Sequence, residues 1–99
     1  MAPTVEHDSY LRALRQEIQD LLRYPQSAFN RKITGTVLLE LILHPTGKIE
    51  GIVLVEPSRH GVFDRAALEA VRSVRPRPFP PDVPHHVLRW QVPIVFELR

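Results

Sequence analysis

Histidines are the residues of this sequence with the most direct capacity for metal binding or acid–base chemistry. There are five of them: His85 and His86 are neighbours in a proline-rich stretch, while His7, His44 and His60 lie far apart in the chain. A helical zinc site places two ligands at positions i and i+4, and no pair of these histidines has that spacing. The sequence therefore predicts no metal site.

The carboxylates and hydroxyls give no stronger indication of catalysis. The candidate acids, bases and nucleophiles are Glu6, Asp8, Glu17, Asp20, Asp64, Ser27, Ser58 and Ser73. The first four carboxylates are spread around the solvated face of a helix, and Asp64 is placed to cap another helix. No serine has a base in predictable reach, although the sequence alone leaves the serines open. We therefore predict that the chain is not an enzyme, binds no small-molecule substrate and uses no cofactor.

The composition indicates one small folded domain. With 99 residues, of which 43% are hydrophobic and 24% charged, the chain can bury a core without disulfides, and it has no cysteine to form them. The net charge of +2 is too weak to favour nucleic acid, which requires a concentrated basic surface. No apolar run is long enough to span a membrane and no signal peptide is evident, which fits a cytoplasmic protein or a piece of a longer exported one.

The first predicted element is an amphipathic helix over residues 8–23. Its apolar positions recur at steps of three and four, and they are Leu11, Leu14, Ile18, Leu21 and Leu22. Tyr24-Pro25 ends the helix, because the residue before a proline is forced out of the helical region. Residues 26–32 have no clear period and are predicted to be a connector.

A β-hairpin is predicted next, with strands over residues 35–44 and 48–56. The odd positions of the first strand are uniformly apolar, so one of its faces is expected to lie on the core. The segment HPTG at 44–47 has proline and glycine where a turn requires them, so the chain should reverse there. Gly51 is interpreted as a bulge, because the apolar positions of the second strand change face on either side of it.

The remaining elements are a second helix and a last strand. The helix is predicted over residues 64–75, with Asp64 as its N-cap, and the proline-rich segment 76–87 is predicted to cross without regular structure. Residues 88–98 alternate most regularly between apolar and polar types, which predicts a strand. Pro93 lies inside it and cannot donate a ladder hydrogen bond, so we expect an edge strand whose missing donor faces either the first strand or an incoming peptide.

These elements predict a single α+β domain in the order helix, strand, strand, helix, strand, with two helices packed on one face of a three-stranded antiparallel sheet. A right-handed crossover through the second helix requires the last strand to lie parallel to the second, which gives the strand order 2-1-3. The free edge of the last strand is then the candidate functional surface, because it offers backbone donors and acceptors to an extended peptide. Arg89, Gln91, Val95 and Glu97 alternate onto the face away from the core and are expected to set register and selectivity.

An ordered set of short motifs resembles the C-terminal domain of the TonB family. In chain order they are YP at 24–25, GTVLL at 35–39, TGKI at 46–49, FDRAALEAV at 63–71, PFPP at 78–81 and VPIVFEL at 92–98. The resemblance extends from about residue 10 to the end of the chain. Two family motifs differ here: the Gln-Pro step before Tyr-Pro is replaced by residues 21–23, and the Ser-Ser-Gly after the second strand is replaced by residues 57–61.

The resemblance implies a periplasmic domain of an inner-membrane-anchored energy transducer. The anchor and a proline-rich linker would precede this chain, and the anchor would work with the proton-driven ExbB and ExbD motor. Family members bind the TonB box, a short extended segment of outer-membrane receptors for siderophores, haem or vitamin B12, beside the last strand. The resemblance carries this role to Arg89, Gln91, Val92, Pro93, Ile94, Val95 and Glu97, and to Arg23, Tyr24 and Pro25.

Two alternatives follow from the same architecture. A similar fold occurs in the C-terminal domain of TolA, which would make the chain a passive periplasmic adaptor for envelope proteins. Exposed strand edges also permit a homodimer formed by strand exchange. We expect no nucleic-acid partner in either case.

Overall fold

The computed structural model of the protein describes residues 1–98. Its elements are a 3₁₀ turn at Val5–His7, α1 (Asp8–Leu21), α2 (Gln26–Asn30), β1 (Gly35–Leu43), β2 (Ile49–Glu56), α3 (Gly61–Arg72) and β3 (Leu88–Phe96). The three strands form one sheet in the order β2-β1-β3, and both pairings are antiparallel. The predicted α+β class and strand order are confirmed. No helix within residues 1–98 has the length and apolarity needed to cross a membrane.

The core lies between the helices and one face of the sheet. The odd positions of β1, from Val37 to Leu43, are 0% exposed, as the alternation of the sequence predicts. They pack in one cluster with buried side chains of α1, α3 and β3, which are Leu11, Leu14, Ile18, Phe63, Ala67, Ala70, Val71, Leu88, Val92, Ile94 and Phe96. Phe63 of α3 stacks on Phe96 of β3 with ring centroids 4.4 Å apart. This packing fixes which face of β3 is turned inward.

The segment between α1 and β1 differs from the prediction. The helix ends at Leu21 rather than at residue 23, because Leu22 already has an extended backbone, with φ −70° and ψ 127°. The predicted connector contains the short helix α2. The carbonyl of Pro25 accepts a hydrogen bond from the N–H of Phe29 at 2.9 Å, and Ala28 is buried. Five residues are too few to show a helical period, which is why the sequence pattern missed α2.

The start of α3 also differs from the prediction. The helix begins at Gly61 with His60 at the N-cap position, and no side chain caps it. Asp64 lies in the first turn, where its carboxylate accepts a hydrogen bond from the N–H of Ser58 at 2.8 Å. The prediction that Asp64 is the N-cap is therefore wrong, because its side chain holds the preceding loop instead. The helix ends at Arg72, before the predicted residue 75.

The turn of the β-hairpin lies where the sequence predicts it. The N–H of Gly47 donates to the carbonyl of His44 at 2.8 Å, and Gly47 has φ +91°. A β-carbon at Gly47 would lie 2.1 Å from the carbonyl oxygen of Arg77, so the proline-rich crossing packs directly on this turn. The hydroxyl of Tyr10 donates to the same carbonyl at 2.7 Å. Burial raises the pKa of Tyr10, an effect that Arg77 opposes and Glu17 reinforces, so the hydroxyl remains a donor.

The pairing of β2 with β1 slips twice. Ile42 lies opposite Gly51 but Leu43 lies opposite Ile49, so one residue is skipped beside Gly51, at the predicted bulge. A second shift, which the sequence did not predict, occurs between Leu38 and Leu39. The exposed side chains of β2 include Val53, Leu54 and Val55.

Candidate functional site

The strand β3 forms a regular edge of the sheet. It pairs with β1 one residue to one residue, from Gly35 opposite Phe96 to Leu43 opposite Leu88, with no register shift. Because a regular strand alternates strictly, both its side chains and its backbone groups can be assigned to a side by counting in steps of two.

One hydrogen bond shows which backbone groups of β3 point away from β1. The N–H of Arg89 donates to the carbonyl of Met1 at 2.9 Å, outside the β1 pairing. The backbone groups of Gln91, Pro93 and Val95, at steps of two from Arg89, therefore point to the same outer side. The N–H that Pro93 lacks is missing from the free edge, and the ladder to β1 is intact. Of the two orientations that the sequence left open, the structure has the one in which an incoming strand meets the gap.

The free edge consequently has a defined pattern of hydrogen-bonding groups. Gln91 and Val95 present an outward N–H, while Arg89, Gln91, Pro93 and Val95 each present an outward carbonyl. The two donors lie four residues apart with a proline between them, so a strand paired with this edge would have one carbonyl without a partner.

The side chains of β3 divide into two groups. Arg89 and Gln91 are exposed on the face away from the helices, and Pro93 and Val95 are half-buried there. Val92 and Ile94 are 0% exposed. The family resemblance assigned a partner-binding role to these two residues. In the structure their side chains face the core and their backbone groups face β1. Glu97 is exposed just beyond the end of the strand.

A cleft adjoins the far end of the edge. It has a volume of about 220 Å³ and is lined by Gln19, Leu22, Tyr24, Val95, Phe96 and Glu97. The ring of Tyr24 packs edge-on against Phe96 with centroids 5.8 Å apart, and its hydroxyl donates to the carbonyl of Ile33. Tyr24 is thereby fixed at the junction of the first helix and the last strand.

The structure does not bring all three residues of the segment 23–25 to this edge. Arg23 is exposed and lines a separate depression with Ala66 and Glu69 of α3. Pro25 is half-buried at the start of α2. Among these three residues, Tyr24 is the one that contacts the end of β3.

An ion pair lies at the near end of the β3 edge, which is the end at Arg89. The guanidinium of Arg89 lies 3.0 Å from the carboxylate of Glu40 on β1. The Arg89 side chain is 61% exposed, so the pair holds it over the open face of the sheet at little energetic gain. The open face next to the edge thus combines this pair with the apolar surfaces of Pro93 and Val95.

Residue Met1 also lies at this edge, although no sequence pattern predicted a role for it. The carbonyl of Met1 accepts the Arg89 N–H, and the Met1 amine donates to the carbonyl of Val87 at 3.2 Å. The spacing of Thr4 and His7, which is that of a capped turn, is the one signal of order in this segment. Within residues 1–98, no three His, Asp or Glu side chains are grouped closely enough to hold a metal ion.

The fold and its free edge define a class of protein, the small α+β domains that end in an edge strand. Residues 20–98 match the model of the family described as "Gram-negative bacterial TonB protein C-terminal", and the chain belongs to this family. The predicted family is confirmed. The match also favours TonB over the TolA-type alternative.

Curated relatives agree with this assignment. Protein TonB of Pasteurella multocida is 34% identical over 96 residues, which cover 96% of this chain and 36% of that protein. Protein TonB of Campylobacter coli is 26% identical over 93 residues, which cover 93% of this chain and 38% of that protein. The chain therefore spans little more than a third of the length of these relatives.

Solved structures agree as well. The solution structure of Helicobacter pylori TonB-CTD (residues 179-285) is 25% identical, with a TM-score of 0.73 and coverage of 100% of this chain and 97% of that one. The structure of the shorter H. pylori fragment (residues 194-285) has a TM-score of 0.69 at 27% identity, with coverage of 89% and 92%. The similarity thus extends over the whole domain.

Proposed function

We propose that this domain binds the TonB box of outer-membrane receptors by adding it as a strand to the free edge of β3. The observation that carries the proposal is the regular outer edge from Gln91 to Val95, whose donors and acceptors are free of β1. Strand addition is made by backbone groups, so it needs no specific side chain on this edge.

The longer protein would act as a TonB-type energy transducer. In this proposal the domain lies in the periplasm and is tethered through an N-terminal segment to the inner membrane, where ExbB and ExbD use the proton-motive force. Energy reaches the receptor as force on the bound box, and the result is uptake of siderophores, haem or vitamins. Family membership supports this role, and the domain supplies its receptor-binding end.

Pairing between the box and β3 is suited to the transmission of force. Its backbone hydrogen bonds each contribute about 0.5–1.5 kcal/mol net, and a pull along the strand loads them together. Pro93 removes one of them from the joint. The result is a connection that can transmit force and still dissociate in a modest time.

Side chains beside the edge give the joint its selectivity. Arg89 and Gln91 flank its near half, and Val95 and Glu97 flank its far half next to the Tyr24 cleft. A box residue with a small apolar side chain fits over Val95. A box residue opposite Glu97 favours a positive charge, because unlike charges attract across neighbouring strands.

The proposal is tested by pull-down of solubilised outer-membrane receptors, with free box peptide as competitor. Gln91→Pro removes one outward donor, and Gln91→Thr keeps the donor while changing the side chain. Loss of one hydrogen bond of about 0.5–1.5 kcal/mol weakens peptide binding roughly two- to twelvefold for Gln91→Pro. Gln91→Thr should bind nearly as the parent chain does. Equal binding by both variants, each shown to be folded by circular dichroism, would contradict strand addition at β3.

A further inference from the structure

The N-terminal residue occupies the near end of the β3 edge. Its amine donates to the carbonyl of Val87 at 3.2 Å, and its carbonyl accepts from the N–H of Arg89 at 2.9 Å. Bonds to the residues on either side of Leu88 are the pattern of a parallel bridge between Met1 and Leu88. Met1 therefore lies where a residue of a fourth, parallel strand would lie.

A buried histidine holds this segment in place. His7 is 0% exposed; its Nδ1 accepts the N–H of Thr4 at 3.1 Å, and its Nε2 lies 3.0 Å from the carbonyl of Pro84. These partners assign the neutral ring with its proton on Nε2, which donates to Pro84. The ring packs edge-on against Phe79 and His86, with centroids 5.7 and 5.6 Å away. The N-terminal turn is thus anchored to the segment that leads into β3.

The bridge stops after one residue for a chemical reason. In a parallel ladder, the next residue to pair would be Pro3, whose N–H would donate to the carbonyl of Arg89. Proline has no N–H, so residue 3 gives the Arg89 carbonyl no partner. The ladder breaks at that point, and the Gln91 N–H makes no hydrogen bond to the backbone of residues 1–4. The edge is occupied up to the Arg89 donor and open beyond it.

We propose that residues 1–3 act as a stop that fixes the register of a strand added to β3. The inference rests on the proposed function and specifies how the partner sits. The added strand is confined to the open edge from Gln91 to Val95, a length of about 17 Å at roughly 3.3 Å per residue. The partner that fits is an extended peptide with two backbone carbonyls that reach the Gln91 and Val95 donors, four residues apart.

The stop formed by residues 1–3 excludes one alternative register of the added peptide. A strand keeps the same faces when its register shifts by two residues, because side chains alternate with a period of two. Without residues 1–3, the Val87 carbonyl and the Arg89 N–H become available, and a peptide gains a second register two residues closer to Leu88. With residues 1–3 in place, a peptide added to β3 therefore has one register, and without them it has two.

Cysteine cross-linking reads the register directly, because the chain has no cysteine of its own. Gln91→Cys is introduced into the 99-residue chain and into a chain that begins at Thr4, and each is oxidised with box peptides that carry a cysteine at successive positions. The full chain should cross-link at one peptide position, and the shorter chain at that position and at one two residues away. The same single position in both chains would overturn the inference alone.

A second measurement tests the contact between Met1 and Arg89 in the absence of a peptide. Amide hydrogen exchange of Arg89 should be about tenfold or more slower than that of Gln91 in the full chain, and the two rates should become similar in the chain that begins at Thr4. Equal rates in the full chain would show that Met1 does not hold the edge and would overturn the inference. Absence of any cross-link or binding in both chains would instead overturn the proposed function, and the inference with it.

Discussion

The two edges of the sheet flank the same central strand but differ in regularity. β3 follows β1 through nine consecutive pairs, whereas β2 slips against β1 at two places. On the helix-facing side, Ile94 of β3 is 0% exposed, but Leu54 of β2 is 40% exposed. A bulged strand is a poor template for another strand, and a regular one is a good template. The regularity of β3 is therefore consistent with the proposed strand addition at this edge, whereas the two register shifts make β2 a poorer template for pairing.

The sequence shows the origin of this difference. The residues of β3 alternate without interruption, so every helix-facing position is apolar and packs on the core. β2 has Glu50-Gly51 in its first half, and the alternation changes face there. Glu50 and Glu56 also place charge near the outer edge of β2, which discourages edge-to-edge pairing.

The largest expected effect comes from matched truncations on the two edge strands. Ile94→Ala removes a fully buried side chain, and such truncations cost about 2–5 kcal/mol of unfolding free energy. Leu54→Ala, on the same face of the sheet, should cost less than about 1 kcal/mol because its side chain is already partly solvated. Urea denaturation measures both. Equal losses would mean that β2 is packed as firmly as β3.

The turn of the hairpin should be the most sensitive point on the β2 side. Gly47 has φ +91°, and a β-carbon there would meet the backbone of Arg77 at 2.1 Å. Gly47→Ala should therefore cost at least the roughly 1–3 kcal/mol expected for backbone strain. Gly61→Ala is the control, because a β-carbon at Gly61 meets nothing within 4 Å. Thermal unfolding should separate the two, and similar midpoints would contradict the close packing of the crossing on the turn.

A backbone donor added at position 93 should increase the difference in strand pairing between the β3 and β2 edges. Pro93→Val adds an outward N–H, and one hydrogen bond of about 0.5–1.5 kcal/mol strengthens box-peptide binding roughly two- to twelvefold. The same change should increase self-association through β3, which analytical ultracentrifugation detects. Val53→Thr on β2 is the control and should alter neither property. A Pro93→Val chain that binds no more tightly would mean that the proline nitrogen does not face the partner.

The smallest effect is expected at the open face. Glu40→Gln removes the charge that pairs with Arg89 at 3.0 Å, and exposed ion pairs contribute about 0.2–1 kcal/mol. Stability should fall by no more than that amount, and less at high salt. A loss of several kcal/mol in urea denaturation would show that the pair is structural.

The sequence predicted the fold class, the strand order and the edge position of β3, because these follow from alternation, from the crossover rule and from Pro93. It missed α2, which is too short to show a period, and it assigned Asp64 to a cap because local spacing does not reveal the competing Ser58 N–H. Only the structure shows that the nitrogen of Pro93 faces the free edge and not β1. Alternation separates two sets of residues but does not by itself tell which set has its backbone turned toward β1.

The site was predicted less completely than the fold. Arg89, Gln91, Val95 and Glu97 lie on the expected face or end of β3, and Tyr24 reaches the same edge. Arg23 lies elsewhere. The contact of Met1 with Arg89 joins residues at opposite ends of the chain through backbone atoms alone, so no side-chain pattern encodes it.

The most direct test of strand addition at β3 is a backbone amide titration by nuclear magnetic resonance, with labelled domain and unlabelled box peptide. If the peptide adds to β3, the amides of Gln91 and Val95 should shift most and become protected from exchange, while those of Val53 and Leu54 on β2 should not change. Shifts confined to the helices or to β2 would contradict strand addition at β3.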